Sequence, residues 1–240
     1  TGVQTCALPI LEPTYGDMGI RVQDLMILRI LAENFGKRPV YFAITVARDN
    51  KLNMDPFMRM DGLAMKVMPY ELARENSIDP EILRTNLYKK YQYRNLGDPD
   101  VYFNENIQNL LQNYRSVFLQ LALYHYFNNQ DEKMLATLDK MSEYVPEETI
   151  PITNRDVFLQ IGQLYAEAGR TGELRKRVME LMEDPYMGLE RKIQIASLLW
   201  TRLNADEAAD SVVSSLYQQH PENGQIIGNL IRIYQARNQW

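Results

Sequence analysis

FLQIGQLYAEAGRTGELRKRVMEL, residues Phe158–Leu181, decides the fold of this 240-residue chain. Phe158, Ile161 and Tyr165 recur three and four residues apart before Gly169, and Leu174, Val178 and Leu181 do so after it. That is the spacing of two amphipathic helices joined by a tight turn. The arrangement returns upstream in Phe118, Leu121, Ala122, His125, Asn129, Met134, Leu138, Met141 and Pro146. It returns downstream in Ile195, Ala196, Leu199, Leu203, Ala208, Val212, Ser215 and Pro221, and a final helix carries Ile227, Leu230, Ile231 and Tyr234.

The small residues Ala122, Gly162 and Ala196 are 40 and 34 residues apart, and the extra segment Glu147–Ile152 accounts for the longer interval. Paired helices approach closely only where a small side chain faces the neighbour, while bulky residues fill the space between pairs. A helix-pair period near 34 resembles the tetratricopeptide repeat, over about Val117 to Gln239. Asn129 with Glu132, and Asn204 with Glu207, read as capping boxes opening the second helix of their repeats. An irregular helical bundle is the blander alternative. The chain ends one helix into a repeat, so Trp240 is read as a truncation point or the end of a capping helix.

Ahead of the repeats, Val22, Leu25, Met26, Ile27, Leu28, Ile30, Leu31 and Ala32 cover nearly every side of a helix over Arg21–Asn34, which predicts burial on most of its surface. Gly36 is a candidate C-cap, and Pro39 forbids continuation. Val40–Val46 reads as a strand covered on both faces. A second strand spans Gly62–Met68 and stops at Pro69. The polar, Met-rich stretch Ala47–Asp61 between them reads as a loop with a short helical turn. One helix and two strands cannot enclose surfaces this apolar, so further cover is expected from upstream sequence or from the later helices. Asp79-Pro80 opens a helix over Glu81–Tyr91, and a long helix follows from about Asn104 to Phe127.

The fold class expected is therefore mainly α: a small α/β N-terminal segment of one helix and two strands, then tetratricopeptide-like hairpins forming an α-solenoid. Residues 1–10 resemble a translated sequencing-adapter remnant and are set outside fold reasoning, together with the single cysteine, Cys6. Residues 11–78 form the α/β segment, read as the end of a truncated domain, 79–116 the connecting helices and 117–240 the repeats.

A net charge of −5 and a pI near 5.2, without a basic block, make nucleic acid an unlikely target. The densest apolar stretch, Val22–Phe35, is interrupted by Asp24, Arg29 and Glu33 and is too short to span a bilayer. One cysteine excludes an internal disulfide framework without fixing the compartment. His125 and His220 are the two histidines, far apart and without clustered cysteines or carboxylates, so no metal is expected. No phosphate-cradling glycine loop, nucleophile elbow or HExxH pattern occurs, and no cofactor is expected. The acidic pairs Glu147-Glu148 and Asp206-Glu207 read as solvated helix starts. The tyrosines Tyr88, Tyr91, Tyr93, Tyr102, Tyr114, Tyr124 and Tyr126 suit a sugar-stacking surface, although core packing explains them more simply.

Three stretches carry a family resemblance. Arg21-Val22-Gln23-Asp24-Leu25-Met26 leading into Lys37-Arg38-Pro39-Val40-Tyr41-Phe42-Ala43 is the first. Phe57-Met58-Arg59-Met60-Asp61-Gly62-Leu63 is the second, and Asp98-Pro99-Asp100-Val101-Tyr102 with Asn113-Tyr114-Arg115 the third. Together they resemble the C-terminal soluble part of a bacterial membrane-protein family similar to GT-C type glycosyltransferases, including protein O-mannosyltransferase-like proteins. The resemblance implies an upstream multi-span membrane region holding the catalytic residues, so none is carried onto this chain. It also implies an extracytoplasmic, periplasmic location. The motif residues without an assigned role are Arg38, Pro39, Tyr41, Arg59, Asp61, Gly62, Asp98, Asn113 and Arg115. Structural roles for them are a carboxylate partner for Arg59, a positive-φ turn at Gly62 and a turn at Asp98-Pro99. The function expected is a non-catalytic domain that positions a polypeptide or glycan acceptor. The alternative is a free-standing tetratricopeptide scaffold binding a peptide.

Overall fold

The computed structural model describes residues 19–203 and 206–236. The chain is mainly α-helical with one three-stranded sheet. It divides into two compact units, the described residues of Thr1–Asn129 with Asp139–Pro151, and those of Gln130–Leu138 with Ile152–Trp240.

The first unit opens with helix α1, Val22–Asn34. The buried Asp24 carboxylate accepts the Arg21 backbone N–H at 3.1 Å, satisfying a donor that the first helical turn leaves over. At the other end Gly36 takes φ +75°, the left-handed cap its sequence position predicts. The expected burial is not realised. Ile27, Leu28 and Leu31 pack into the core, but Val22, Leu25, Met26 and Ile30 are 48–74% exposed. The reason is the size of what α1 lies on: a small sheet covers one side of a helix. Each of these part-exposed aliphatic side chains forgoes a share of the roughly 1.5–3 kcal/mol that full burial contributes.

The sheet has three strands where two were expected. They are β1 (Tyr41–Ala43), β2 (Met58–Met60) and β3 (Ala64–Val67), antiparallel in the order β1-β3-β2. β2 lies in the stretch read as a loop; its three residues, Met-Arg-Met, are too few for alternation to register. The predicted helical turns do occur there, as 3-10 turns at Arg48–Asn50 and Asp55–Phe57. β1 is shorter than Val40–Val46 and is covered on one face only, with Phe42 buried and Tyr41 and Ala43 exposed. Phe42, Met58 and Val67 join Leu31, Leu52 and Met54 in one core. Leu52 and Asn53 both hold left-handed φ, +52° and +54°. That is an unfavourable state for Leu, held in place by its fully buried side chain.

Helix α2, Pro80–Thr85, begins under an Asp79 cap that accepts the Ile82 N–H at 3.0 Å. It continues as a wider π-helical turn, Asn86–Lys90. After Asn104, whose side chain accepts the Ile107 N–H at 2.9 Å, helix α3 runs Glu105–Phe127. Helix α4 follows at Asp131–Tyr144. Asn129 does not cap it as predicted. With φ +53° and its N–H on the Tyr126 carbonyl, Asn129 ends α3, and the first helical bond of α4 comes from Met134 to Gln130. An asparagine tolerates that left-handed position better than other residues with a side chain. The other predicted cap, Asn204, lies outside the described residues.

Arg115 on α3 is fully enclosed and donates to the carbonyls of Val145 at 3.0 Å and Ile150 at 2.7 Å, just past the end of α4. A buried guanidinium is tolerable only with such partners, and a cation there also suits the helix macrodipole. The Glu147–Ile152 insertion thus has a structural task. Thr149 donates to the Leu96 carbonyl, and Val145, Ile150 and Leu96 share a small core with Tyr93 and Tyr114.

In the second unit come α5 (Arg155–Glu167), α6 (Thr171–Glu183), α7 (Leu189–Leu203), α8 (Asp206–Gln219) and α9 (Gly224–Ala236). Asn154 caps α5 by accepting the N–H groups of Asp156 and Val157. Gly169 turns the chain into α6 with φ +86°, forty residues after the left-handed Asn129. A Cβ placed on Gly162 would lie 3.1 Å from the Leu174 backbone and 2.9 Å from the Arg177 side chain. The α5–α6 crossing therefore requires the smallest residue. Phe158, Leu174, Val178, Leu181, Ile195, Val212 and Ile226 share one core, and the Arg177 guanidinium lies 4.3 Å from the Phe158 ring centre. Ser215, predicted as a core position, is exposed while its neighbours Val213 and Leu216 are buried. The side chains of Ala196, Leu199, Leu203, Ala208, Leu230 and Tyr234 are outside what the structure describes.

Two variants test this packing. Gly162→Val is expected to lower the urea midpoint by the equivalent of about 2–3 kcal/mol, because overpacking moves α6; an unchanged midpoint contradicts the close approach. Arg115→Met should cost about 3 kcal/mol, since two buried carbonyls lose charged donors, and thermal denaturation monitored by circular dichroism measures it.

Candidate functional site on the sheet face

Strand register places the motif residues. Lys66 on β3 is directly opposite Tyr41 on β1 and Arg59 on β2, so Tyr41, Lys66 and Arg59 form one row across a single face. The alternating residues Phe42, Met58, Met65 and Val67 point into the core instead.

Arg59 donates from Nε to Asp61 Oδ1 at 2.8 Å and from Nη2 to Oδ2 at 3.3 Å, and its Nη1 lies 3.4 Å from Asp79 Oδ2. Asp61 is buried, and its hydrogen bond is the main reason that the Arg59 guanidinium holds its proton more tightly than usual. Asp79 spends its other oxygen capping α2. From the π-helical turn, Asn86 donates to the Asp61 carbonyl. Tyr91 accepts the Leu63 N–H at 2.9 Å on its hydroxyl. Gly62 lies between them with φ +135°, and a Cβ on it would lie 2.1 Å from that hydroxyl. The lock ties the β2–β3 turn to α2. It engages both carboxylates in structure, and the groups left facing outward on this row are Tyr41, 47% exposed, and Lys66.

Beside the row, a cleft of about 380 Å³ is lined by Gly36, Lys37, Arg38, Pro39 and Lys66. A second, apolar cleft of about 280 Å³, lined by Leu28, Leu31, Phe57 and Met68, shares Phe35, Val67 and Pro69 with it.

Six of the nine motif residues thus lie on or next to the sheet: Arg38 and Pro39 in the cleft, Tyr41 on the row, and Arg59, Asp61 and Gly62 in the lock. The structural roles anticipated for Arg59 and Gly62 are the ones seen. The other three are not brought to this site. Asp98 accepts the Asp100 N–H at 3.0 Å in a turn, Asn113 donates to the Leu110 carbonyl at 2.9 Å, and Arg115 clamps the end of α4. Asn86 and Lys66 were not picked out from the sequence. The bond from Asn86 spans 25 residues and leaves no local signal, whereas the alternation of Lys66 with Met65 and Val67 was available to find it.

Of the seven tyrosines, Tyr91, Tyr93 and Tyr114 pack against tyrosine rings, Tyr88, Tyr124 and Tyr126 meet Phe118, His125 and Phe127, and Tyr102 is exposed. Tyr93 lies 4.7 Å from Tyr144 and 5.4 Å from Tyr114 between ring centres, and Tyr91 meets Tyr114 edge-on at 5.8 Å. Burial pushes the Tyr93 phenol far above its ordinary pKa, and its hydroxyl donates to the Leu87 carbonyl at 2.9 Å. This favours the core-packing reading over a sugar-stacking surface. Among the described residues no three of His, Cys, Asp and Glu are placed to hold a metal ion. His125 is buried, edge-on to Tyr124, and His220 is exposed.

Residues 4–87 match the family model described as TMEM260-associated domain 2. The matched region contains the whole sheet, the lock as far as Asn86 and both clefts. It therefore resembles a domain associated with a membrane protein. No curated protein and no solved structure matches the chain.

Gly62→Ala is expected to destabilise the chain by about 1–3 kcal/mol through its left-handed backbone and the Tyr91 hydroxyl. Combining it with Tyr91→Phe should recover part of that loss, which a double-mutant cycle in urea measures; strict additivity would remove the close contact from the account.

Proposed function

We propose that this chain is a non-catalytic accessory portion of a membrane-bound, GT-C glycosyltransferase-like protein, holding a polypeptide or glycan acceptor on the periplasmic side of a bacterial inner membrane. The observation that carries the reading is the match of residues 4–87 to a membrane-protein-associated domain, continuous in the chain with successive helical hairpins. The motif resemblance over residues 20–126 points the same way. No described helix is long and apolar enough to cross a membrane, so in this reading the anchor is supplied by a different part of the parent protein.

The hairpins are the acceptor-holding part. The nesting at Gly162 and the paired left-handed residues Asn129 and Gly169 support a tetratricopeptide-like arrangement. Stacks of such pairs form α-solenoids whose concave surfaces bind extended partners. The Arg59–Asp61–Asp79 lock gives the sheet a fixed face without supplying a free acid, base or nucleophile.

Sequencing the complete reading frame provides the test. The expected result is a series of hydrophobic stretches of roughly 20 residues upstream of this chain. A complete frame without them would overturn the accessory reading in favour of a free-standing peptide-binding scaffold.

A further inference from the structure

We infer that the exposed side of α1, together with the cationic cleft beyond its C-terminus, is a docking surface for an anionic lipid bilayer. Val22, Leu25, Met26 and Ile30 lie on the helix side away from the core, where helical spacing sets the exposed Arg29–Glu33 ion pair among them, and Phe35, just past its end, is 48% exposed. The charges around this strip are lopsided. Between Arg21 and Pro39 there are four cations and two carboxylates. Asp24 is buried and Glu33 is paired with Arg29, so neither neutralises the cleft. Lys37, Arg38 and Lys66 line that cleft and form no ion pair among the described residues. A positive corner on a chain of net charge −5 is a local feature rather than an overall basicity.

Three occupants can be weighed by what they would satisfy. A small anion would neutralise the cleft and leave the aliphatic strip in water. A second copy meeting this patch across a two-fold axis would cover the strip but bring no unpaired carboxylate to the cations. A bilayer interface with anionic head groups satisfies both, as it does for helices that lie in the interface with an apolar face and flanking Lys and Arg. The apolar cleft under Leu28, Leu31 and Phe57 continues from the cationic one, so methylene groups meet apolar wall beside the head-group site. The inference stands on this surface alone; failure of vesicle binding would leave the accessory reading to be decided by the reading frame.

The full chain should be sedimented with vesicles of phosphatidylcholine containing about one third phosphatidylglycerol, and with phosphatidylcholine alone. Binding is expected to the anionic vesicles only, and to be released near 1 M salt, where the screening length falls to about 3 Å. Lys37→Glu with Arg38→Glu should weaken partitioning on the order of tenfold or more, from the roughly additive contribution of each basic residue. Leu25→Ser with Met26→Ser and Ile30→Ser should weaken it similarly, and these exposed positions leave the core untouched. Wild-type protein remaining in the supernatant with anionic vesicles overturns the proposal. So does equal binding to neutral vesicles, competition by inorganic phosphate, or variants that bind as the wild type does. A dimer by light scattering that dissociates in the Leu25→Ser, Met26→Ser, Ile30→Ser variant would assign the face to a second copy instead.

Discussion

Two helices can cross with their backbones in near contact only where one of them has almost no side chain, and the α5–α6 pair obeys that limit at Gly162. The consequences spread from that point. Leu174 and Val178 lose all solvent contact, Arg177 is drawn over the face of Phe158, and the core they form extends to residues of α7, α8 and α9. In the first compact unit the corresponding constraint is electrostatic. Arg115 is enclosed away from solvent, and the backbone beyond α4 folds back to present two carbonyls to its charge. The segment Glu147–Ile152 contains one of those acceptors, Ile150, and the other is Val145 just before it.

The helical part was the most legible in the sequence because its determinants are local. A 3.6-residue rhythm, an Asp before a helix and a glycine after one act within a few residues, and Asp79, Gly36 and Gly169 all do what their positions predict. Asn129 was misread for an instructive reason. An asparagine between two helices can end the first or start the second, and only the backbone angle distinguishes them. The sheet was harder. Three-residue strands carry too little alternation to stand out, and the burial of α1 depended on how much surface the sheet could offer, which no local pattern records.

The motif residues divide along the same line. Gly62 was legible as a turn, although the Tyr91 hydroxyl that makes it indispensable lies 29 residues later in the chain. Arg59, Asp61 and Asp79 are brought together by a strand pairing and a helix cap, so the sequence suggested a carboxylate partner for Arg59 without showing that Asp61 and Asp79 are the two that bind it. Arg115 was singled out as part of a resembling motif, with no role assigned, and it proves to be one of the most enclosed side chains of its unit. A charge in a motif is thus weak evidence for a ligand until its burial and partners are known.

The two margins of the sheet differ. Met60 of β2 makes a bridge to Ile78, with its N–H on the Ser77 carbonyl, while among the described residues no strand pairs with the outer margin of β1. β1 is three residues long, follows Pro39 and runs straight into a turn. Brevity and a neighbouring proline are devices by which natural sheets resist sticking to copies of themselves. At high concentration in storage or in a crowded cell, this corner is therefore poorly suited to templating fibrils, and lengthening it by replacing Pro39 would remove part of that safeguard.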